Sequence, residues 1–190
     1  VPIIVIDGPE KAGKSTLATI LKEKYGAEVK HFGAEPEAGY LYDLTFARHL
    51  LEDTVKPGLV VYDRSWASEV VYGAYYGRNR RLVEYPSLGE RLYGQAVALV
   101  GHRAMLLGPS AEALAEKRTA DDHDISPEAE RAAFAEYAET HSWTAFANDY
   151  SRGTAQIIAR ALVQSARYHW RQSKDRLRAI DMELLARIAS

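Results

Sequence analysis

Residues Gly8-Pro9-Glu10-Lys11-Ala12-Gly13-Lys14-Ser15, followed by Thr16, have the types and spacing needed to hold a polyphosphate. They complete the pattern G-x-x-x-x-G-K-[ST]. Glycines let the backbone close around an anion. Successive N–H groups then turn inward to form a concave anion site. A helix starting near Lys14 adds the positive end of its dipole. Lys14 can reach the β- and γ-phosphates, and the Ser15 hydroxyl can ligate Mg²⁺. The expected ligand is ATP–Mg²⁺, contacted by Gly8, Glu10, Lys11, Ala12, Gly13, Lys14, Ser15 and Thr16. Lys11 is placed to stabilise charge on the transferring phosphoryl group.

The second chemical feature runs from Tyr62 to Gly73, beginning Asp63-Arg64-Ser65-Trp66. An acid and an arginine at a strand end suit phosphoryl transfer. Asp63 can bind Mg²⁺ or orient the attacking oxygen. Arg64 offers a planar fork for the acceptor's phosphate.

These residues need particular elements to hold them. The apolar run Ile3–Ile6 leads into the phosphate loop as a buried strand, and residues 14–25 read as the helix that leaves it. Residues 28–32 form a weaker candidate strand, and 39–53 a helix. Leu59-Val60-Val61-Tyr62 is a second buried strand, followed by a helix over 65–76. Residues 87–100 read as a helix and 104–107 as a strand. Ser110 and Ser126 are placed to cap helices over 111–118 and 127–141. Residues 143–148 are a last short strand candidate, and helices are expected over 153–170 and 174–188. Strands alternating with helices predict an α/β fold, with about five parallel strands covered on both faces. Ligands of such sheets bind at the carboxyl ends of the strands, where both motifs fall.

The two motifs together resemble the thymidylate kinase-like nucleotide kinases, over roughly residues 1–165. Glu10-Lys11 in the loop, Asp63, Arg64, Ser68 and Tyr72 stand where that family has matching residues, and Ala34-Glu35-Pro36 matches its Glu-Pro element. The resemblance implies phosphoryl transfer from ATP to a deoxynucleoside monophosphate, of a thymidylate, deoxyuridylate or modified-pyrimidine kind. It implies a lid over about 117–127, with Arg118 closing on the phosphates. It also implies an acceptor site of Glu35, Arg64, Ser68 and Tyr72, with Phe46 and Trp66 as the aromatic residues offered to the base. The sequence departs from the family at Ala34, where an Arg is usual, at Ser65, where an aromatic is common, and in the short segment after Pro36. The base is therefore left open.

The deoxynucleoside kinases share a Glu-Pro element and a Glu-Arg-Ser motif. In that alternative Glu35 is the base that deprotonates a 5′-hydroxyl. Asp63 in place of Glu, Lys11 in the loop and the chain length favour the monophosphate. A further alternative is a phosphate-loop kinase of another small acceptor.

Composition narrows the remaining classes. The 190 residues read as a single kinase domain, 1–190, with an additional helix over about 171–190. A formal net charge of −2 gives no general attraction to nucleic acid or anionic membrane, so small nucleotides are the expected partners. There is no cysteine, hence no disulfide framework. The ATP requirement and the absence of a signal-peptide pattern favour a cytoplasmic setting. No N-K-x-D stretch supports guanine reading. Asp121, Asp122, His123 and Asp124 match no calcium loop and read as a solvated lid. Arg78, Arg80 and Arg81 form a basic run after the third helix, which could assist the acceptor phosphate but reads first as a solvated loop. Helices 65–76 and 87–100 offer a face for a homodimer.

Overall fold

The computed structural model describes residues 1–33, 39–78, 80–119 and 124–177. The Glu-Pro element with Glu35, lid residues 120–123 and the end of the expected terminal helix, 178–190, lie outside them.

Five parallel strands form one sheet: β1 (Ile3–Asp7), β2 (Glu28–His31), β3 (Val60–Asp63), β4 (Gly101–Leu106) and β5 (Thr144–Phe146). Their spatial order is β2-β3-β1-β4-β5. The continuous apolar runs of β1 and β3 are buried along their whole length, as strands covered on both faces require. Ile6 pairs with Asp63 in the β1–β3 register, and Arg64 N–H donates to Ile6 O at 2.9 Å. Both chemical motifs therefore leave the sheet at the same level and side by side.

Two apolar layers flank the sheet. On one face α1 (Lys14–Tyr25) and α9 (Arg152–Leu177) bury Leu17, Leu21, Ile158, Leu162 and Val163 against Ile4, Ile6 and Val61. The other face carries α2 (Gly39–Thr54), α3 (Trp66–Tyr76), α6 (Gln95–Val100) and α8 (Pro127–Thr140). There Phe46, Trp66, Val97 and Phe134 pack on Ile3, Val5 and Tyr62. The short helices are α4 (Arg80–Glu84), α5 (Ser87–Gly89) and α7 (Ala111–Glu116).

Ser110 and Ser126 cap α7 and α8 as expected, accepting from Ala113 N–H at 3.2 Å and Ala129 N–H at 3.1 Å. Four details differ from the sequence reading. β4 starts at Gly101, because Gly101 has no Cβ to strike Ile3 O, which would lie 1.7 Å away. A π-helical turn, Glu90–Gly94, interrupts the 87–100 helix. Arg80 and Arg81 lie on a helix instead of a loop. The last described helix runs unbroken to Leu177, since 170–174 contains neither Gly nor Pro to stop it. None of the described helices is long and apolar enough to cross a membrane.

Candidate active site

The phosphate loop joins β1 to α1 through backbone shapes that need glycine. Gly8 has φ +138° and Gly13 φ +93°, both outside the range that L side chains favour. A Cβ on Gly8 would sit 1.9 Å from Leu106 O, and one on Gly13 would sit 2.3 Å from Asn148 Nδ2. The loop wraps a cavity of about 430 Å³. Its lining includes Glu10, Lys11, Ala12, Gly13, Lys14, Ser15 and Thr16 from the loop, Asp63 and Arg64 from the end of β3, and His31 from β2. Seven of the eight expected ATP contacts thus line one space. The eighth, Gly8, does not line it; its N–H donates to Asp7 Oδ1 and its carbonyl accepts from Lys14.

Lys14 is buried, and its ammonium donates to Gly8 O at 2.7 Å and Pro9 O at 2.5 Å. Burial, with the nearby Arg64 charge, pushes its pKa down to about 7. Ser15 is exposed on the cavity side of α1. Asp63 presents one carboxylate oxygen, Oδ2, to His31 Nδ1 at 3.1 Å. Its other oxygen, Oδ1, is buried with no hydrogen-bond partner among the described residues. An orphaned carboxylate oxygen on a cavity that Ser15 also lines suits a hard cation that also takes phosphate and water ligands. Among the described residues no group of three or more His, Cys, Asp or Glu gathers as a closed metal cage.

Arg64 adopts φ +73°, a costly shape for a residue other than glycine, at the turn from β3 into α3. Its guanidinium lies 3.7 Å from Glu10 Oε1, 3.5 Å from Ser68 Oγ and 5.3 Å from the centre of the Tyr72 ring. A second cavity, of about 220 Å³, opens on the other side of Arg64 and His31 and also touches Phe32, Ser68, Tyr72 and Arg78. Ser68 and Tyr72 therefore meet Arg64 there.

Phe46 and Trp66 do not meet them. Both are fully buried in an aromatic cluster with Tyr62 and Tyr93. Trp66 Nε1 donates to Glu90 at 2.8 Å. Neither ring has a face left for a base in this conformation. Arg118 is also elsewhere: it donates to Ile125 O and to Glu130, and it does not line the larger cavity. Lys117 takes that place, its ammonium 4.5 Å from the centre of the Tyr150 ring.

Several contributors were invisible to sequence reasoning. Asp7 ends β1 fully buried and accepts from Gly8 N–H, Ser65 Oγ, Ser68 N–H and Ser68 Oγ at 2.6–3.1 Å. It ties the phosphate loop to the start of α3. Burial raises its pKa despite those bonds. Glu130, buried on α8, accepts from Glu10 N–H at 2.9 Å and from Tyr72 and Arg118. Asn148 Nδ2 donates to Ala12 O at 3.1 Å from the far end of the chain. Tyr150 and Ser151 complete the cavity wall.

A phosphate loop, an acid-arginine strand end and a second adjoining cavity on a 2-3-1-4-5 parallel sheet define the phosphate-loop kinase fold. Comparison with solved structures agrees. Thymidylate kinase from Candida albicans matches with a TM-score of 0.57 at 15% identity, over 88% of this chain and 93% of that one. Deoxyadenosine kinase from M. mycoides with bound dATP matches with a TM-score of 0.54 at 14% identity, over 85% and 99%. A putative polyphosphate kinase 2 from Pseudomonas aeruginosa matches with a TM-score of 0.64 at 19% identity, over 89% of this chain and 39% of that one. At these identities the likeness is one of fold. No family model matches the sequence, and no curated protein matches it significantly.

Proposed function

We propose that this chain is a phosphotransferase that moves the γ-phosphoryl group of ATP to a deoxynucleoside monophosphate, releasing ADP and a diphosphate. The observation that carries the reading is the pair of adjoining cavities that share His31 and Arg64. The larger is built for a triphosphate and the smaller offers guanidinium groups to an acceptor. In the reaction an oxygen of the acceptor's phosphate attacks the γ-phosphorus while the bond to the β–γ bridging oxygen breaks and ADP leaves with that electron pair. Such a transfer asks the protein for positioning and charge neutralisation, with no covalent intermediate.

Lys14 leaves the Gly8 and Pro9 carbonyls for the β- and γ-phosphates. Lys11 stands at the exposed rim, within the same cavity, to meet the transferring group. Ser15 and Asp63 Oδ1 are the residues that would hold Mg²⁺, which neutralises phosphate charge when bound. Arg64, between the two cavities, contacts the acceptor phosphate. Lys117, Tyr150 and Ser151 line the part of the same cavity left for the rest of ATP. Neighbours of this fold include kinases of nucleotides and of nucleosides, which supports a nucleotide-type acceptor.

The test is ADP release with ATP–Mg²⁺ across the deoxynucleosides and their 5′-monophosphates. Turnover with a monophosphate is expected and names the base. Turnover with nucleosides alone overturns the reading and transfers the role of base to Glu35.

A further inference from the structure

We propose that Arg78 is a second ligand for the acceptor's phosphate, closing with Arg64 into a two-guanidinium clamp that selects a 5′-phosphate monoester over a free nucleoside. The inference rests on the functional reading above and goes beyond it to what fixes the acceptor class.

Three observations carry it. First, the backbone delivers Arg78 to a defined place. Gly77, with φ +65°, ends α3 in the left-handed shape, and Arg78 N–H then donates back to Gly73 O at 2.9 Å. Gly73 has no side chain to obstruct this return, because a Cβ there would lie 2.9 Å from Arg78 O and 3.1 Å from Val83 Cγ2. Second, Arg78 lines the same cavity of about 220 Å³ as Arg64, Ser68 and Tyr72. Third, its Nε and Nη2 are buried with no hydrogen-bond partner among the described residues. A guanidinium cannot shed its charge at ordinary pH, so unpaired burial is costly. The Tyr76 ring, 5.3 Å from Cζ, recovers only part of that cost.

Nε and one terminal nitrogen make the edge that pairs bidentately with two oxygens of a phosphate. That edge is the part of Arg78 left without partners. Both guanidiniums line the cavity, and Arg64 lies 3.7 Å from Glu10 Oε1 while Arg78 Nε and Nη2 have no hydrogen-bond partner among the described residues. A phosphate monoester supplies both the missing acceptors and the missing negative charge. A 5′-hydroxyl supplies neither.

The experiment compares wild type, Arg78→Gln and Arg78→Lys by calorimetric titration without ATP. The probes are dAMP, dCMP, dGMP, dTMP and dUMP, their nucleosides, inorganic phosphate, and separately ATP. Melting temperatures and steady-state kinetics are measured on the same proteins. Wild type should bind at least one monophosphate more tightly than its nucleoside. Arg78→Gln should weaken that monophosphate by about tenfold to a hundredfold, the range for hydrogen bonds to a charged group. Its nucleoside affinity and its ATP affinity should not change, and Arg78→Lys should recover part of the loss. The melting temperature of Arg78→Gln should hold or rise, because the variant removes an unpaired buried charge.

Equal monophosphate binding in wild type and Arg78→Gln overturns the clamp. So does a parallel loss of nucleoside binding with a lowered melting temperature, which would mark a structural role. A loss confined to ATP or to inorganic phosphate alone, or no monophosphate binding by wild type, also overturns it. Binding that depends on Arg78 with no ADP release would sink the transfer reading and leave the clamp standing. Turnover of a monophosphate that ignores Arg78→Gln would do the reverse.

Discussion

Glu90 and Asp53 lie in the body of the protein with every donor they need, whereas Asp63 and Arg78 lie at the cavities with atoms left over. Glu90 accepts from Trp66 Nε1, Trp143 Nε1 and Tyr137 OH at 2.8–2.9 Å, and pairs with Arg103. The π-helical turn and Gly94 make room for it, since a Cβ on Gly94 would lie 2.1 Å from Glu90 Oε2. Asp53 accepts from Lys30 at 2.7 Å on both oxygens, from Tyr62 OH at 2.7 Å and from Lys56 at 2.9 Å. Burial alone would push the Asp53 carboxyl up, but those donors hold it below its usual range. In contrast, Asp63 Oδ1 and the Nε and Nη2 atoms of Arg78 have no hydrogen-bond partner among the described residues. Buried polar groups in native proteins are nearly always satisfied. Asp63 lines the larger cavity and Arg78 the smaller, where a cation and an anion are expected, while His102 Nε2 and Arg131 Nε are unpaired among the described residues away from both. Saturated charge holds the fold at Glu90 and Asp53, and the unsaturated atoms of Asp63 and Arg78 belong to residues that line the cavities.

That contrast predicts that the two regions fail differently. The largest effect is expected from Lys14→Ala, which should lower kcat for ADP release by at least about 10²–10³-fold, the cost of removing a charge-stabilising donor. Its melting temperature should stay level or rise, because a buried ammonium is gone. Collapse of the fold in this variant would contradict the contrast.

Glu90→Ala should show the opposite pattern. It leaves Arg103 and three neutral donors without their acceptor, and should cost about 3 kcal/mol. For a chain of this size that lowers the melting temperature by roughly 6–12 °C. KM for both substrates of the residual folded enzyme should hold. A thermal melt unchanged from wild type would remove Glu90 from the saturated class.

Arg64→Ala should come next, raising KM for the acceptor by roughly tenfold or more while KM for ATP moves little. Unchanged acceptor kinetics would strip Arg64 of its role between the cavities.

The smallest effect concerns protons. With a pKa near 7 in the free protein, Lys14 is largely neutral above that pH. The unfolded chain, at 10.5, still holds the proton there. Between these values the unfolded state binds more protons, so the penalty for burying Lys14 shrinks as pH rises through the window. Phosphates beside Lys14 restore its charge. ATP–Mg²⁺ binding should therefore take up close to one proton at about pH 8.5 and few near pH 6. Calorimetry in buffers of different ionisation enthalpy measures the uptake, and Lys14→Ala should abolish it. Equal uptake at both pH values would show that Lys14 is charged before ATP arrives.

Local pattern made much of the fold legible. The apolar runs of β1 and β3, the serine caps of α7 and α8 and the helix after the phosphate loop each follow from a few neighbouring residues. The β4 start was not legible, because Gly101-His102-Arg103 carries no apolar signal and is held by its pairing with β1. The aromatic residues were the least legible. Phe46, Trp66 and Tyr72 are all aromatic in the sequence and all buried in one core, and only packing gives Tyr72 a hydroxyl and ring that meet Glu130 and Arg64.

The sequence by itself determined the phosphate loop, the acid-arginine strand end and the α/β alternation, because each is written within a dozen residues and its physics is local. The tertiary structure decided which residues complete the site. Asp7 reaches Ser68 across 61 positions, Glu130 reaches Glu10 across 120, and Asn148 reaches Ala12 across 136. No local pattern encodes such pairings. They exist because parallel strands bring remote segments to the carboxyl end of the sheet, where burial makes an unpaired polar atom costly.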